Sequence, residues 1–150
     1  MKVRDFMITK VITVKPSCTI KQLLQVLTTN RIGGVPVVDD KDHLVGMISD
    51  GDVLRFLSPK TYGVSGLVSI LIEEDFDEVL QEKLDTTVSE IMTKRNISFV
   101  TAEEDFERTI RVISQHHYKK IPVVNGAGRV IGVLSRGDLI NTISKKILSA

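Results

Sequence analysis

A chain of 150 residues, 42% hydrophobic and 26% charged, is the size of one ordinary domain and can bury a core without metal or disulfide. Twenty basic residues against nineteen acidic ones leave a net charge of +1, which lacks the basic footprint of most nucleic-acid binders. A single cysteine, Cys18, excludes an internal disulfide and is expected in a reducing cytoplasm. The longest apolar run (67–72, broken by Ser69) is too short to span a bilayer, and the opening MKVRDFMITK lacks the apolar stretch of a secretion signal.

In chain order, V-R-D-F-M at 3–7 returns as V-S-E-I-M at 88–92, an offset of 85 that becomes 86 from Val14 over Val100 onward. Within positions 36–52, seven of seventeen residues are identical to their counterparts: Pro36, Val37, Val38, Gly46, Ser49, Gly51 and Asp52. Similar amphipathic segments share hydrophobicity by chance, but not coincident Pro, Gly, Ser and Asp. The chain is therefore one unit written twice.

Each copy is expected to run strand, helix, strand, strand, helix. Residues 11–14 and 97–100 read as short strands. Thr19 with Gln22 forms a capping box opening a helix that buries Ile20, Leu23, Leu24 and Leu27. Asp105 is the matching cap before Phe106, Ile110 and Ile113. Residues 35–38 form a strand whose Pro36 marks an edge or a start. Turns at 39–42 and 125–128 lead into strands 44–48 and 130–134, completing hairpins. A closing helix begins at Asp52 and again at Asp138, with Val53, Leu54 and Leu57, or Leu139, Ile140 and Ile143, on its inner face.

Between the copies, Ser58 and Pro59 stop a helix, and Gly63 and Gly66 keep the chain irregular. Phe76, Val79, Leu80 and Leu84 then recur at helical spacing among Glu73, Glu74, Asp75, Asp77, Glu78 and Glu82. That pattern reads either as an acidic partner-binding helix or as an amphipathic helix turning its acids to water. Thr87 with Glu90 reads as another capping box, on a short helix ending near Met92. The expected organisation is repeat one at 1–57, a helical linker at 58–87 and repeat two at 88–150. The fold class is α/β (α+β): two pseudo-twofold-related β-α-β-β-α units packed through their sheets, of a kind that often pairs again as a homodimer.

No catalytic motif is visible, and the chain is not expected to be an enzyme or to hold a catalytic cofactor. His116 and His117 are adjacent and diverge on a helix, His43 reads as a solvated turn residue, and no metal site is expected. The informative feature is the repeated corner I-S-D-G-D at 48–52 and L-S-R-G-D at 134–138. A hydroxyl leaves a strand, a glycine permits a tight turn, and a carboxylate stands at a helix start. A carboxylate can accept both hydroxyls of a ribose diol, while a hydroxyl and backbone N–H groups can hold phosphate oxygens. The same residues could instead serve only as helix caps.

The pattern V-P-V-V-D…L-V-G-M-I-S-D-G-D-V, repeated as I-P-V-V-N…V-I-G-V-L-S-R-G-D-L, resembles the cystathionine β-synthase (CBS) domain over roughly 3–57 and 88–143. The resemblance implies a tandem pair, or Bateman module, with two clefts between the repeats. It implies a non-catalytic regulatory sensor of adenosine compounds: AMP, ADP or ATP in energy sensing, or alternatively S-adenosylmethionine or a cyclic dinucleotide. Asp52 and Asp138 would then hold ribose, with Ser49 and Ser135 beside the phosphate. The base would lie between Ile12 and Thr13, or Ile97 and Ser98, and the residues Ile32 and Tyr118. Tyr118 would either stack on adenine or fill the core. Output is expected through an effector protein, or the role is to buffer or to sense through oligomerisation; no membrane is expected, and a nucleic acid is not the default partner. A structural dimerisation module with degenerate clefts is the competing reading.

The copies differ where phosphate charge would be met. Gly33 and Gly34 stand where copy two has Lys119 and Lys120, and Asp50 stands where it has Arg136. The resemblance implies basic residues such as Lys119 and Lys120 at the phosphate, and Arg136 adds a third cation beside them, although a surface lysine pair also serves solubility. Because the clefts implied by the resemblance draw on both repeats, these cations could serve either site. One cleft is expected to bind a charged nucleotide much better than the other.

Overall fold

The computed structural model describes residues 1–59, 76–116 and 119–149, with His116 described by its backbone alone. Gly63, Gly66, the apolar run 67–72, the acids 73–75, His117 and Tyr118 lie outside the described residues. After a 3-10 turn at Val3–Asp5 come α1 (Ile20–Asn30), β1 (Gly34–Val38), β2 (Leu44–Ser49) and α2 (Asp50–Leu57). Then follow α3 (Phe76–Leu84), α4 (Val88–Ile91), α5 (Phe106–His116), β3 (Lys120–Val124), β4 (Val130–Ser135) and α6 (Arg136–Leu148).

Helix starts follow local chemistry where a side chain is free to cap. The Thr19 hydroxyl accepts from the Gln22 N–H (3.1 Å) and Gln22 Oε1 accepts from the Thr19 N–H (3.0 Å), the expected reciprocal box. Two other expected caps are not made. Asp105 stands before α5, but its carboxylate binds Lys2 Nζ at 2.9 Å, and the first helical N–H, of Phe106, goes to the Met1 carbonyl. The Thr87 hydroxyl lies 2.8 Å from Ser89 Oγ and does not cap α4. In both cases a neighbour competes for the capping oxygen. As expected, α2 stops at Leu57, before Ser58 and Pro59.

The two hairpins are superimposable in register. Pro36 pairs with Met47 and Val37 with Gly46, as Pro122 pairs with Val133 and Val123 with Gly132, each with a bulge one residue later. Both turns are built by one side chain: Asp39 Oδ1 accepts the N–H groups of Lys41 and His43, and Asn125 Oδ1 those of Ala127 and Arg129. Where the turn needs a left-handed residue, the first hairpin uses Asp42 (φ 63°) and the second Gly128 (φ 80°). His43 is more than a solvated turn residue. Its Nδ1 lies 3.1 Å from Asp39 Oδ2, and it bridges Arg129 where the two hairpin tips meet.

The expected first strand of each copy shrinks to one bridging residue. Val14 donates to the Pro36 carbonyl (3.2 Å) and accepts from Val38 N–H (2.9 Å); Val100 does the same with Pro122 and Val124. Two residues earlier, a parallel ladder would need an N–H that Pro36 and Pro122 lack, so pairing stops there.

Opening segments cross between the copies. Val3 N–H donates to Glu104 O, and Ile8 and Val133 exchange both backbone bonds, so the first residues complete the second sheet. Reciprocally, Val88 donates to Cys18 O, and Thr93 exchanges both bonds with Met47. The crossing sets the glycines: a Cβ on Gly46 would stand 2.5 Å from Met92 Sδ, and one on Gly132 would stand 2.7 Å from Met7 Sδ. The cores are mixed accordingly. Val88 is buried with Ile20, Leu23, Val35 and Ile48, and Val3 with Val100, Ile121, Val123 and Leu134.

Val38, Val124 and Val133 are buried yet belong to neither core. Strand residues alternate faces, so these valines lie on the sheet faces turned away from the helices. The two hairpins meet at their tips, where His43 bridges Arg129, and at their strand starts, where Lys120 Nζ reaches the Gly34 carbonyl. Two residues assigned to inner faces point outward instead: Leu54 is 67% exposed and Ile140 is 65% exposed, while Val53 and Leu139 are buried. The acids Asp77, Glu78 and Glu82 of α3 face water, and its Leu84 packs on the first core.

Candidate functional site

The alternating pleat sorts the site residues. In the second half Ile121 and Leu134 enter the core, so Lys120 and its partner Ser135 lie on the opposite face, beside Pro122 and Val133. Gly34, Pro36, Met47 and Ser49 form the same face in the first half. Across the seam Lys120 Nζ donates to the Gly34 carbonyl at 3.3 Å. The two strand starts, and with them the two corners, thus meet between the sheets.

Each corner is a closed capping box. Ser49 Oγ donates to Asp52 Oδ2 (3.1 Å), the Ser49 N–H donates to the same oxygen (2.9 Å), and Asp52 N–H donates back to Ser49 Oγ (3.3 Å). In the second corner Ser135 Oγ donates to Asp138 Oδ2 at 2.6 Å, with Ser135 N–H at 3.3 Å and the return bond at 3.1 Å. Capping is therefore part of what these residues do, worth about 1 kcal/mol per helix. It consumes one carboxylate oxygen and leaves the other to be used elsewhere.

The corners differ in how that second oxygen is used. Asp52 Oδ1 accepts from Arg55 Nη2 at 2.8 Å. The residue corresponding to Arg55 is Asn141, which is exposed, and Asp138 Oδ1 has no hydrogen-bond partner among the described residues.

Charge at the corner floor differs as well. Asp50 N–H donates to Gly33 O (2.8 Å) and Arg136 N–H to Lys119 O (3.0 Å), which sets position 50 against 33 and position 136 against 119. In the first half the Asp50 carboxylate lies over Gly33, 3.2 Å from where a Cβ would be. In the second, two exposed cations, Lys119 and Arg136, occupy the same places. Lys120 is half-buried in the seam. Burial pushes its ammonium below the usual lysine range, against the pull of the Asp138 carboxylate.

Of the expected base-pocket residues, Ile12 and Ile32 pack against the first core, while Thr13, Ile97 and Ser98 are half-buried. Tyr118 is outside the described residues. Phe99, the counterpart of Thr13 under the 86-residue offset, is exposed. No group of three or more His, Cys, Asp or Glu gathers as a metal site among the described residues. What the corners offer chemically is hydrogen bonding and charge.

The CBS-domain family model matches residues 3–59 and 88–145, in two tandem copies. The chain belongs to the CBS-domain family. Its relatives include CBSX1, a chloroplastic CBS domain-containing protein of Arabidopsis thaliana, 30% identical over 85% of this chain and 56% of that protein. Another is the uncharacterized protein MJ1426 of Methanocaldococcus jannaschii, 28% identical over 95% of this chain and 91% of that one. The chain also covers 23% of the inosine-5'-monophosphate dehydrogenase of Aquifex aeolicus, at 29% identity. It thus spans about half of the first relative and under a quarter of the enzyme. Among solved structures, the CBS-pair protein CBSX2 of Arabidopsis thaliana superimposes with a TM-score of 0.80 at 27% identity, covering 99% of this chain and 98% of that one. CBSX2 in complex with AMP gives 0.73 at 26% identity, over 96% of each chain. The architecture of two small sheets with flanking helices is that of a CBS pair. Among the described residues no helix is long and apolar enough to cross a membrane.

Proposed function

We propose that this chain is a non-catalytic regulatory module that takes an adenosine-containing ligand in the clefts between its halves, and that the second corner is the stronger site for a phosphorylated one. The carrying observation is Asp138: its Oδ2 is fixed by the cap while Oδ1 has no hydrogen-bond partner among the described residues. A ribose diol needs such an acceptor. Lys119, Lys120 and Arg136 then supply cations for phosphate, as the AMP complex of CBSX2 makes reasonable for a relative of this fold. AMP, ADP and ATP differ in phosphate charge, so such a corner would respond to energy state. Regulation further requires that the ligand favour one of two conformations, and its output would pass to an effector protein.

Calorimetric titration with AMP and ATP tests the reading. One strong site is expected. Asp138→Ala removes two charge-assisted hydrogen bonds of roughly 1.5–3 kcal/mol each, a loss of about 100-fold or more. Equal affinity at two sites, or full affinity in Asp138→Ala, overturns the assignment. Absence of binding by AMP, ATP, S-adenosylmethionine and cyclic di-AMP to ligand-free protein favours a scaffold.

We also propose that the module pairs with a second copy, in keeping with a cytoplasmic sensor whose single cysteine is a free thiol. Leu54 and Ile140 occupy equivalent positions in the two halves and stand exposed on helices that follow the corners. Covering them by a twofold-related copy would bury both at once. Light scattering should give a dimer mass for the wild type and a monomer for the Leu54→Glu, Ile140→Glu double variant. A wild-type monomer at high concentration removes the proposal.

A further inference from the structure

Two contacts join positions that are equivalent in the two copies. His43 bridges Arg129, with Leu44 N–H donating to Gly128 O and Val130 N–H to Asp42 O, and Lys120 Nζ donates to the Gly34 carbonyl at 3.3 Å. Positions 43 and 129, like 34 and 120, are related by the 86-residue offset of the repeat. A residue touches its own equivalent only near the axis that relates the copies. The pseudo-twofold axis therefore runs from the hairpin tips to the strand starts, and the Lys120 ammonium stands beside it, between corners that the axis interchanges. Its bond goes to the first half, while the carboxylate that attracts it, Asp138, belongs to the second. Gly34 brings no side chain to the seam. A lysine in both copies would set two ammonium groups against each other there, so one cation stands where symmetry would call for two.

We infer that Lys120 is a single cation shared by both corners, so that an anionic ligand at one corner lowers the affinity of the other. The inference rests on the proposed binding of an adenosine compound and adds the coupling between its two places. A phosphate at either corner draws the ammonium to itself. A second phosphate then meets a corner that has lost its cation and faces a neighbour of its own charge. Such coupling is reciprocal: whichever corner fills first weakens the other by the same factor. Adenosine, which has no phosphate, makes no demand on the lysine and should fill the two corners independently.

Calorimetry on chains with one corner disabled tests the sharing. Asp50→Arg serves as the parent, because it gives the first corner a cation of its own. In that background Asp52→Ala leaves the second corner in use, and Asp138→Ala leaves the first. Lys120→Met, which removes the charge from a side chain of similar length, should weaken AMP about 10- to 100-fold in both single-corner chains. It should leave adenosine unchanged in both. With both corners intact, the second AMP should bind about tenfold or more weaker than AMP binds to the same corner alone, and Lys120→Met should bring the two values together. A loss confined to one single-corner chain, or AMP bound by only one of them, overturns the sharing and leaves the binding function standing. So does a second AMP held as tightly as by its corner alone. An equal loss for adenosine and AMP marks Lys120 as structural and overturns the sharing as well. Failure of both the wild-type chain and the parent to bind AMP or adenosine overturns the coupling and the binding function together.

Discussion

In the first half Asp52 gives one oxygen to Ser49 and the other to Arg55, and the Asp50 carboxylate leans over Gly33. In the second half Asp138 makes the same bond to Ser135, its other oxygen has no hydrogen-bond partner among the described residues, and Lys119 and Arg136 stand where Gly33 and Asp50 were. The backbones agree to the register of each hairpin and the position of each bulge. What has been kept is what the backbone needs: a proline, the glycines under crossing chains, the serine–aspartate cap. What has diverged is exposed charge, which costs the fold little. A duplicated scaffold can in this way carry two corners of one backbone and different charge.

The sharpest test of the likeness is at the glycines. Gly46→Ala would put a Cβ 2.5 Å from Met92 Sδ and 3.1 Å from Thr93 O; Gly132→Ala would put one 2.7 Å from Met7 Sδ and 3.2 Å from Ile8 O. Each variant should lose about 1–3 kcal/mol in denaturant unfolding, the usual cost of overpacking. Because each glycine lies under a segment supplied by the other copy, the two losses should be alike and the unfolding should remain a single transition. A large loss at one glycine and none at the other would break the symmetry of the crossing.

That crossing was only half legible in the sequence. The match of 3–7 with 88–92 showed that both segments belong to the unit, but it cannot say which copy each joins, because either sheet presents the same edge. Hairpins and corners were legible because Pro, Gly, Asp and Ser are demanded by local backbone geometry. Strand 11–14 was misjudged in length, since the missing N–H of Pro36 acts on a neighbour distant in sequence. Leu54 and Ile140 were placed inward because α2 and α6 repeat apolar residues all along one turn. Only the packed structure shows that Val53 and Leu139 take the inner place. Thr87 and Asp105 had the spacing of caps but lost their oxygens to Ser89 and Lys2, contacts outside any helical pattern. The difference in charge between the corners was fully legible; the bond from Arg55 to Asp52 was not, although i,i+3 pairing on a helix could have raised it.

The contrast in charge can be erased by a smaller change. Asp50→Arg gives the first corner the residue that the second already carries, on a backbone that tolerates it there. It removes one negative charge and adds one positive charge beside the place where phosphate would sit. At about 1 kcal/mol for each unit of charge facing water, a change of two units should tighten AMP binding at the first corner by about 30-fold. Position 50 is exposed, so the gain should shrink as salt shortens the reach of the charge. The reverse change, Arg136→Asp, should weaken the second corner by a similar factor with the same salt dependence. An unchanged first corner in Asp50→Arg at low salt would locate the asymmetry elsewhere, in Asp52 held by Arg55. In that case Arg55→Asn, which copies Asn141 of the second half, becomes the substitution that opens the first cleft.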